Sequence, residues 1–193
     1  MQAGRSQAGR SRKMKYRLAA AMQECMLTTS VGKITVRQIV KQCGTTRQTF
    51  YRHFMDKYAL INWYFEVLLH KSFEHMGSGR TILEGLTLKF EYILKERAFF
   101  TAAFRYDRQN SLKQHDFESI MAFYKDLIVR KSGSAVVEDT LFLLELYCYG
   151  SVYMTVKWVL EGMKEPPERM AQKLVEALPL SLQKTFIQIG LLD

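Results

Sequence analysis

The chain has 193 residues, 48% apolar and 12% aromatic with only 3 prolines, and no run approaches the roughly 18 uninterrupted apolar residues of a membrane span. A disordered chain and a helical membrane protein are thereby excluded, leaving one domain or a small domain joined to a larger one. The net charge of +9 is unevenly placed: residues 1–57 carry twelve Lys or Arg against Glu24 and Asp56 (+10), and the rest carry 16 basic against 17 acidic groups (−1). A basic third on a neutral remainder suits a nucleic-acid-binding module attached to a partner domain; a basic helix on an anionic membrane surface is the rival reading.

In chain order, QAGRS at 2–6 recurs at 7–11. Such a duplication buries no apolar surface, so residues 1–12 are expected to be a disordered basic segment, either an arginine arm for DNA (Arg5, Arg10, Arg12) or a plain flexible tail. It lacks the apolar core of a signal peptide, and a cytoplasmic protein is expected. Order should begin near Lys13, because Leu18, Ala21, Met22, Cys25 and Met26 repeat at helical spacing up to the polar break at Thr28 to Gly32. Thr35 is a candidate N-cap for a short helix with Val36, Ile39 and Val40 on one stripe, ending at Gly44, which supplies a left-handed turn. Thr45 and Thr46 can cap a third helix, on which Phe50 and Phe54 lie one above the other. Two short helices across a glycine turn make a helix-turn-helix, whose second helix enters the major groove.

At about 100° per residue, Phe50 and Phe54 define the buried side of that helix, and Gln48, Thr49 and Arg52 lie farthest from it, with Tyr51 and His53 on the flanks. An amide, a hydroxyl and a guanidinium are groups that read base edges, and a phenol and an imidazole can donate to phosphates. No acidic residue stands between Glu24 and Asp56 to repel a phosphate backbone.

The run ITVRQIVKQCGTTRQTFYRHFMDKYALI, residues 34–61, resembles the signature of TetR-type transcriptional regulators, with glycine, tyrosine, histidine, phenylalanine and lysine in register. The resemblance implies an all-α homodimer: a three-helix DNA-binding domain (13–57) followed by a larger helical domain (58–193) for effector binding and dimerisation. By position it puts Thr35, Tyr51, His53 and Lys57 on phosphates and Arg37, Arg47, Gln48 and Thr49 towards bases; Arg52 occupies a position that varies within the family. Cys43 stands where alanine is common, and a small thiol fits there. Further on, ERAFFTAAFRYDRQNSL and YGSVYMTVKWVLEGMKEPPERMA resemble a subgroup typified by the dihydroxyacetone kinase operon regulator, whose effector is a partner protein, so the resemblance adds a protein to the possible effectors beside a small molecule.

Asp56 can cap a long helix from Lys57. Breaks at Gly77 to Gly79, Asp107 to Ser111, Ser132 to Ser134 and Glu165 to Pro167 divide the C-terminal part into helices of about 81–105, 115–131, 135–162 and 168–178; Pro179 opens a last one ending before Gly190. Of the dense aromatics here, Phe100, Phe104, Phe123, Tyr147 and Trp158, with Met154, are effector-pocket candidates that read equally as core. The 135–162 helix and the one after it are the expected dimer interface, with Gly150 and Ser151 for close approach and Leu143, Leu146, Tyr147, Met154 and Trp158 for apolar area. Four dispersed histidines, three distant cysteines, and the lack of a nucleophile elbow or phosphate loop point away from an enzyme, a metal and any cofactor. The expected function is repression at a palindromic DNA operator, relieved by a small-molecule or protein effector, with a partner-controlled activator as the alternative and no membrane association.

Overall fold

A computed structural model describes residues 2–106 and 111–192, with side chains from Gly9 onward. Among the described residues the fold is all-α: α1 (Gln2–Thr28), α2 (Val36–Cys43), α3 (Arg47–His53), α4 (Lys57–Phe73), α5 (Ile82–Lys95), α6 (Arg97–Arg105), α7 (Leu112–Ser132), α8 (Glu138–Leu160), α9 (Pro167–Glu176) and α10 (Leu180–Gln188). The chain divides into two compact units, Met1–Phe65 with Ala98–Ser111, and Glu66–Arg97 with Leu112–Asp193.

The first unit is built around Leu18, Met22, Val31, Ile34, Ile39, Phe50, Leu60 and Ile61, all essentially without exposure. Each such side chain gains about 1.5–3 kcal/mol on leaving water, so the periodic apolar positions of α1 and α2 are what set the two helices against one another. Phe54 packs against Phe50 (ring centroids 5.9 Å apart) and Trp63 (5.6 Å), and α6 closes this core with Phe100, whose ring meets Phe65 edge-on at 5.9 Å.

Two expectations need correction. Helix α1 does not begin at Lys13 but already includes the duplicated QAGRS segments, so residues 2–12 are helical rather than disordered. Once the apolar turns from Leu18 onward are fixed, extending the helix through Gln, Ala and Arg needs only propagation, and each interrupting glycine weighs against it by about 1 kcal/mol. Second, the helix expected over 81–105 is two. Glu96 leaves helical geometry (φ −99°, ψ 32°) and its N–H closes the turn on the Tyr92 carbonyl at 3.0 Å, separating α5, buried in the second unit, from α6, whose phenylalanines belong to the first. The expected break around Asp107 to Ser111 falls mostly outside the described residues.

The second unit packs α5 and α7–α10 around Leu86, Phe90, Tyr124, Leu144, Cys148, Trp158 and Phe186. The last residues are part of this core: Phe186 stacks on Tyr124 at 5.5 Å, and the Leu191 carbonyl accepts from the Ile82 N–H at 2.7 Å, capping the start of α5. Between α5 and α7 a charged pair is enclosed: Lys89 and Asp116 side chains are 3% and 0% exposed, with Nζ 3.2 Å from Oδ1 and 3.3 Å from Oδ2. Burial raises the Asp116 carboxyl above its ordinary value even with the Lys89 ammonium pulling the other way.

Along α8 the residues expected at the interface divide: Leu146, Gly150 and Met154 are exposed and Leu143 is half-buried, whereas three others are not at the surface. Tyr147, Ser151 and Trp158 point into this unit's own core, where the Tyr147 hydroxyl donates to the Leu174 carbonyl at 3.1 Å and the Trp158 indole to the Glu165 carbonyl at 3.0 Å. The apolar stripe left outside is Phe142 (66% exposed), Leu146, Tyr149, Tyr153 (68%) and Leu160. These fall at i, i+4, i+7, i+11 and i+18, a single helical face.

Candidate nucleic-acid interface

Local chemistry shapes the α2–α3 pair. Thr35, extended at φ −109° and ψ 153°, caps α2: its hydroxyl accepts from the Gln38 N–H at 3.3 Å, and Gln38 Oε1 accepts from both the Thr35 N–H and its hydroxyl at 2.8 Å. This is a complete capping box, with its donors and acceptors reciprocally satisfied. At the other end Gly44 sits at φ 64° and ψ 44°, where a Cβ would be strained, and Thr45 N–H returns to the Val40 carbonyl at 2.9 Å. Thr46 then caps α3, accepting from Thr49 N–H at 3.1 Å. The turn between the helices is therefore fixed from both sides.

Cations on α1 hold this pair in place, a role that sequence reading did not separate from general basic character. Arg17 donates to the Cys43 carbonyl at 2.8 Å, which places a positive charge on the C-terminal end of α2, where the helix dipole favours one. Lys15 lies 5.4 Å from the centroids of both Phe54 and Trp63. A cation over two ring faces is attracted by their quadrupoles, so this charge ties α1 to the end of α3.

What remains exposed is the set expected to read bases. Arg37 on α2 and Arg47, Gln48 and Arg52 on α3 all face solvent, and Thr49 is half-buried with its hydroxyl 3.0 Å from that of Thr46. Of the residues expected on phosphates, Thr35 is exposed, and so is Tyr51 at 52% with its ring edge-on to Phe50; His53 is half-buried, with Nδ1 3.4 Å from the Ser11 hydroxyl. Burial, then Lys15 and Arg52, hold the His53 imidazole below its ordinary value. Lys57 departs from the pattern, because its ammonium is turned onto the backbone carbonyls of Val31, Gly32 and Ile34.

The six effector candidates are dispersed. Phe100 and Phe104 stack on one another at 6.1 Å in the first unit. In the second, Phe123 lines an open cleft of about 300 Å³ with Glu66, Leu69, His70, Phe73 and Ser119, while Met154 and Trp158 line another of about 300 Å³ with Lys157, Glu161, Lys164 and Lys173. Tyr147 is taken up by the core. Among the described residues no helix is long and apolar enough to cross a membrane, and no group of three or more His, Cys, Asp or Glu side chains could hold a metal ion.

Residues 18–63 match the family model described as "Bacterial regulatory proteins, tetR family", and residues 80–179 match one described as "Transcriptional regulator C-terminal region". No curated protein matches the chain. Of solved structures, it is similar to one named "Dihydroxyacetone kinase operon activator DhaS", at 17% identity over 93% of this chain and 98% of that chain with a TM-score of 0.62. It is also similar to a TetR-family transcriptional regulator from Pectobacterium atrosepticum, at 20% identity over 95% and 96% with a TM-score of 0.47. With both parts of the chain matched and a capped helix-turn-helix at its N-terminal end, the protein belongs to the TetR family of DNA-binding transcriptional regulators, which are not enzymes.

Proposed function

We propose that the protein is a cytoplasmic repressor that binds a two-fold symmetric operator as a homodimer and lets go when an effector reshapes its second unit. The observation that carries this reading is the exposed set of Arg37, Arg47, Gln48 and Arg52 on a helix pair whose ends are held by the Thr35 and Thr46 caps. Arginine pairs bidentately with guanine and glutamine with adenine in the major groove, so this set has the donors and acceptors that discriminate base pairs. Tyr51 and His53 donate to the flanking phosphates. Thr35 joins them by exchanging its exposed Gln38 acceptor for a phosphate oxygen.

One recognition helix spans only a few base pairs, so a specific operator needs two. The Phe142, Leu146, Tyr149, Tyr153 and Leu160 stripe on α8 supplies the dimer seam, since monomers seldom leave such a face in water. An effector then acts only through its difference in affinity for the DNA-competent and released dimers. A second reading, an activator worked by a partner protein, is favoured by the open form of both clefts and by the name of the fold neighbour, an operon activator.

Selection of bound duplexes from a random-sequence pool tests the reading. The expected outcome is a shared motif with two inverted half-sites whose centres lie about one helical turn apart. An unsymmetrical motif contradicts the homodimer, and recovery of unrelated sequences contradicts specific binding. Placing the recovered motif within a promoter then distinguishes repressor from activator by the direction of reporter change.

A further inference from the structure

Helix α4 opens on Lys57, and the side chain folds back instead of reaching into solvent. Its Nζ lies 2.7 Å from the Val31 carbonyl oxygen, 2.9 Å from that of Gly32 and 2.7 Å from that of Ile34. An ammonium has three N–H donors and no acceptor, so these three carbonyls use all of them. The carbonyls belong to the turn that joins α1 to α2, and the last of them immediately precedes Thr35, the cap of α2. The stem of Lys57 also lays the ammonium 5.0 Å from the Tyr58 ring centroid. Desolvation in this cradle lowers the lysine below its ordinary value, with Asp56 opposing.

We infer that Lys57 is a positioning residue for DNA binding, which locks the first turn of α4 to the turn ahead of α2 and makes no phosphate contact of its own. The inference rests on reading α2 and α3 as the DNA-binding pair. To reach a phosphate, Nζ would give up three charge-assisted bonds to carbonyls for one screened contact in water, and the three carbonyls would then need water in its place. Arg37, Arg47 and Arg52 face no such exchange, since they stand in solvent already. The clamp has a consequence for regulation. A displacement of the α4 first turn is passed directly to the N-cap of α2, and so to the angle at which α2 and α3 meet the duplex.

Lys57→Arg and Lys57→Met separate the two roles, measured against the selected duplex and a scrambled one over a range of salt. A guanidinium keeps the charge but is a planar fork that does not fit a three-carbonyl cradle. For a clamp, both variants bind the selected duplex about tenfold more weakly, bind scrambled duplex as before, and keep the wild-type salt slope in Lys57→Arg. For a phosphate contact, Lys57→Arg behaves as wild type, whereas Lys57→Met weakens both duplexes alike and lowers the slope by about 0.9; that result, or no change in either variant, overturns the inference. Should a variant not fold, the wild-type Lys57 ammonium is followed by nitrogen NMR: slow hydrogen exchange and an unchanged shift on adding duplex support the clamp, and a fast-exchanging or strongly shifted signal refutes it. A wild type that does not prefer the selected duplex would instead remove the DNA-binding reading, while slow exchange at Nζ would still report the clamp itself.

Discussion

The two compact units use charge in opposite ways. In the first, the cations stay at the surface or turn onto the unit's own carbonyls and rings, and two acids oppose twelve bases over residues 1–57. In the second, bases and acids nearly balance, and one pair, Lys89 with Asp116, is drawn wholly inside. Burial of an ion pair demands a partner within the fold, whereas a surface excess of one sign leaves the demand to be met from outside. The distribution of charge thus separates the part that holds itself together from the part that awaits DNA.

The largest expected effect lies in the buried pair. Asp116→Ala strands the Lys89 charge and should destabilise the second unit by about 3–5 kcal/mol, whereas Lys89→Met with Asp116→Leu should recover most of it. Urea unfolding followed by circular dichroism checks this; a single-variant loss below about 1 kcal/mol would erase the contrast between the units. On the DNA side, Gln48→Ala should relax discrimination at one base pair by about 1–3 kcal/mol without altering stability, read as the ratio of affinities for the selected site and its single-base variants.

Gly44→Ala comes next. An added Cβ would meet nothing within 4 Å, so the penalty is the left-handed backbone alone, about 1–2 kcal/mol in thermal or urea unfolding. The smallest effect concerns His53. Burial, Lys15 and Arg52 lower its pKa from the ordinary 6.5, so the fold favours the neutral ring; that contribution is present above the ordinary value and lost as pH falls through the lowered one. A phosphate beside the ring favours the imidazolium instead. Duplex affinity at fixed salt should therefore rise between pH 7.5 and 6, by less than tenfold per unit, and His53→Gln should flatten the profile. An unchanged profile in that variant would remove His53 from the phosphate contacts.

The same contrast governs how much could be read from the sequence. The helix-turn-helix was legible because caps act locally: Thr35, Gly44 and Thr46 each signal through chemistry spanning a few residues, and Phe50 with Phe54 marks the buried side. The Lys57 clamp was not, since it joins residues far apart in sequence and a lysine at a helix start looks the same whichever way it points. Helix α1 was misjudged at its start because propagation depends on what is already folded downstream. The split at Glu96 carries no glycine or proline to announce it. In α8 apolar residues occur all round, so the sequence grouped Leu146 and Met154, which are outside, with Tyr147 and Trp158, which are inside. Within the second unit Phe123 and the Met154–Trp158 pair line separate clefts and Tyr147 lies in the core, since aromatic density follows core packing as readily as ligand contact.

The central claim is that the first unit offers base-reading groups rather than a merely basic surface. Titration of a palindromic selected duplex against scrambled duplex, from low to physiological salt, tests it most directly. The expected result is that both affinities fall with salt while the selected duplex remains at least about a thousandfold tighter near physiological salt. A ratio near one at every salt concentration would contradict it.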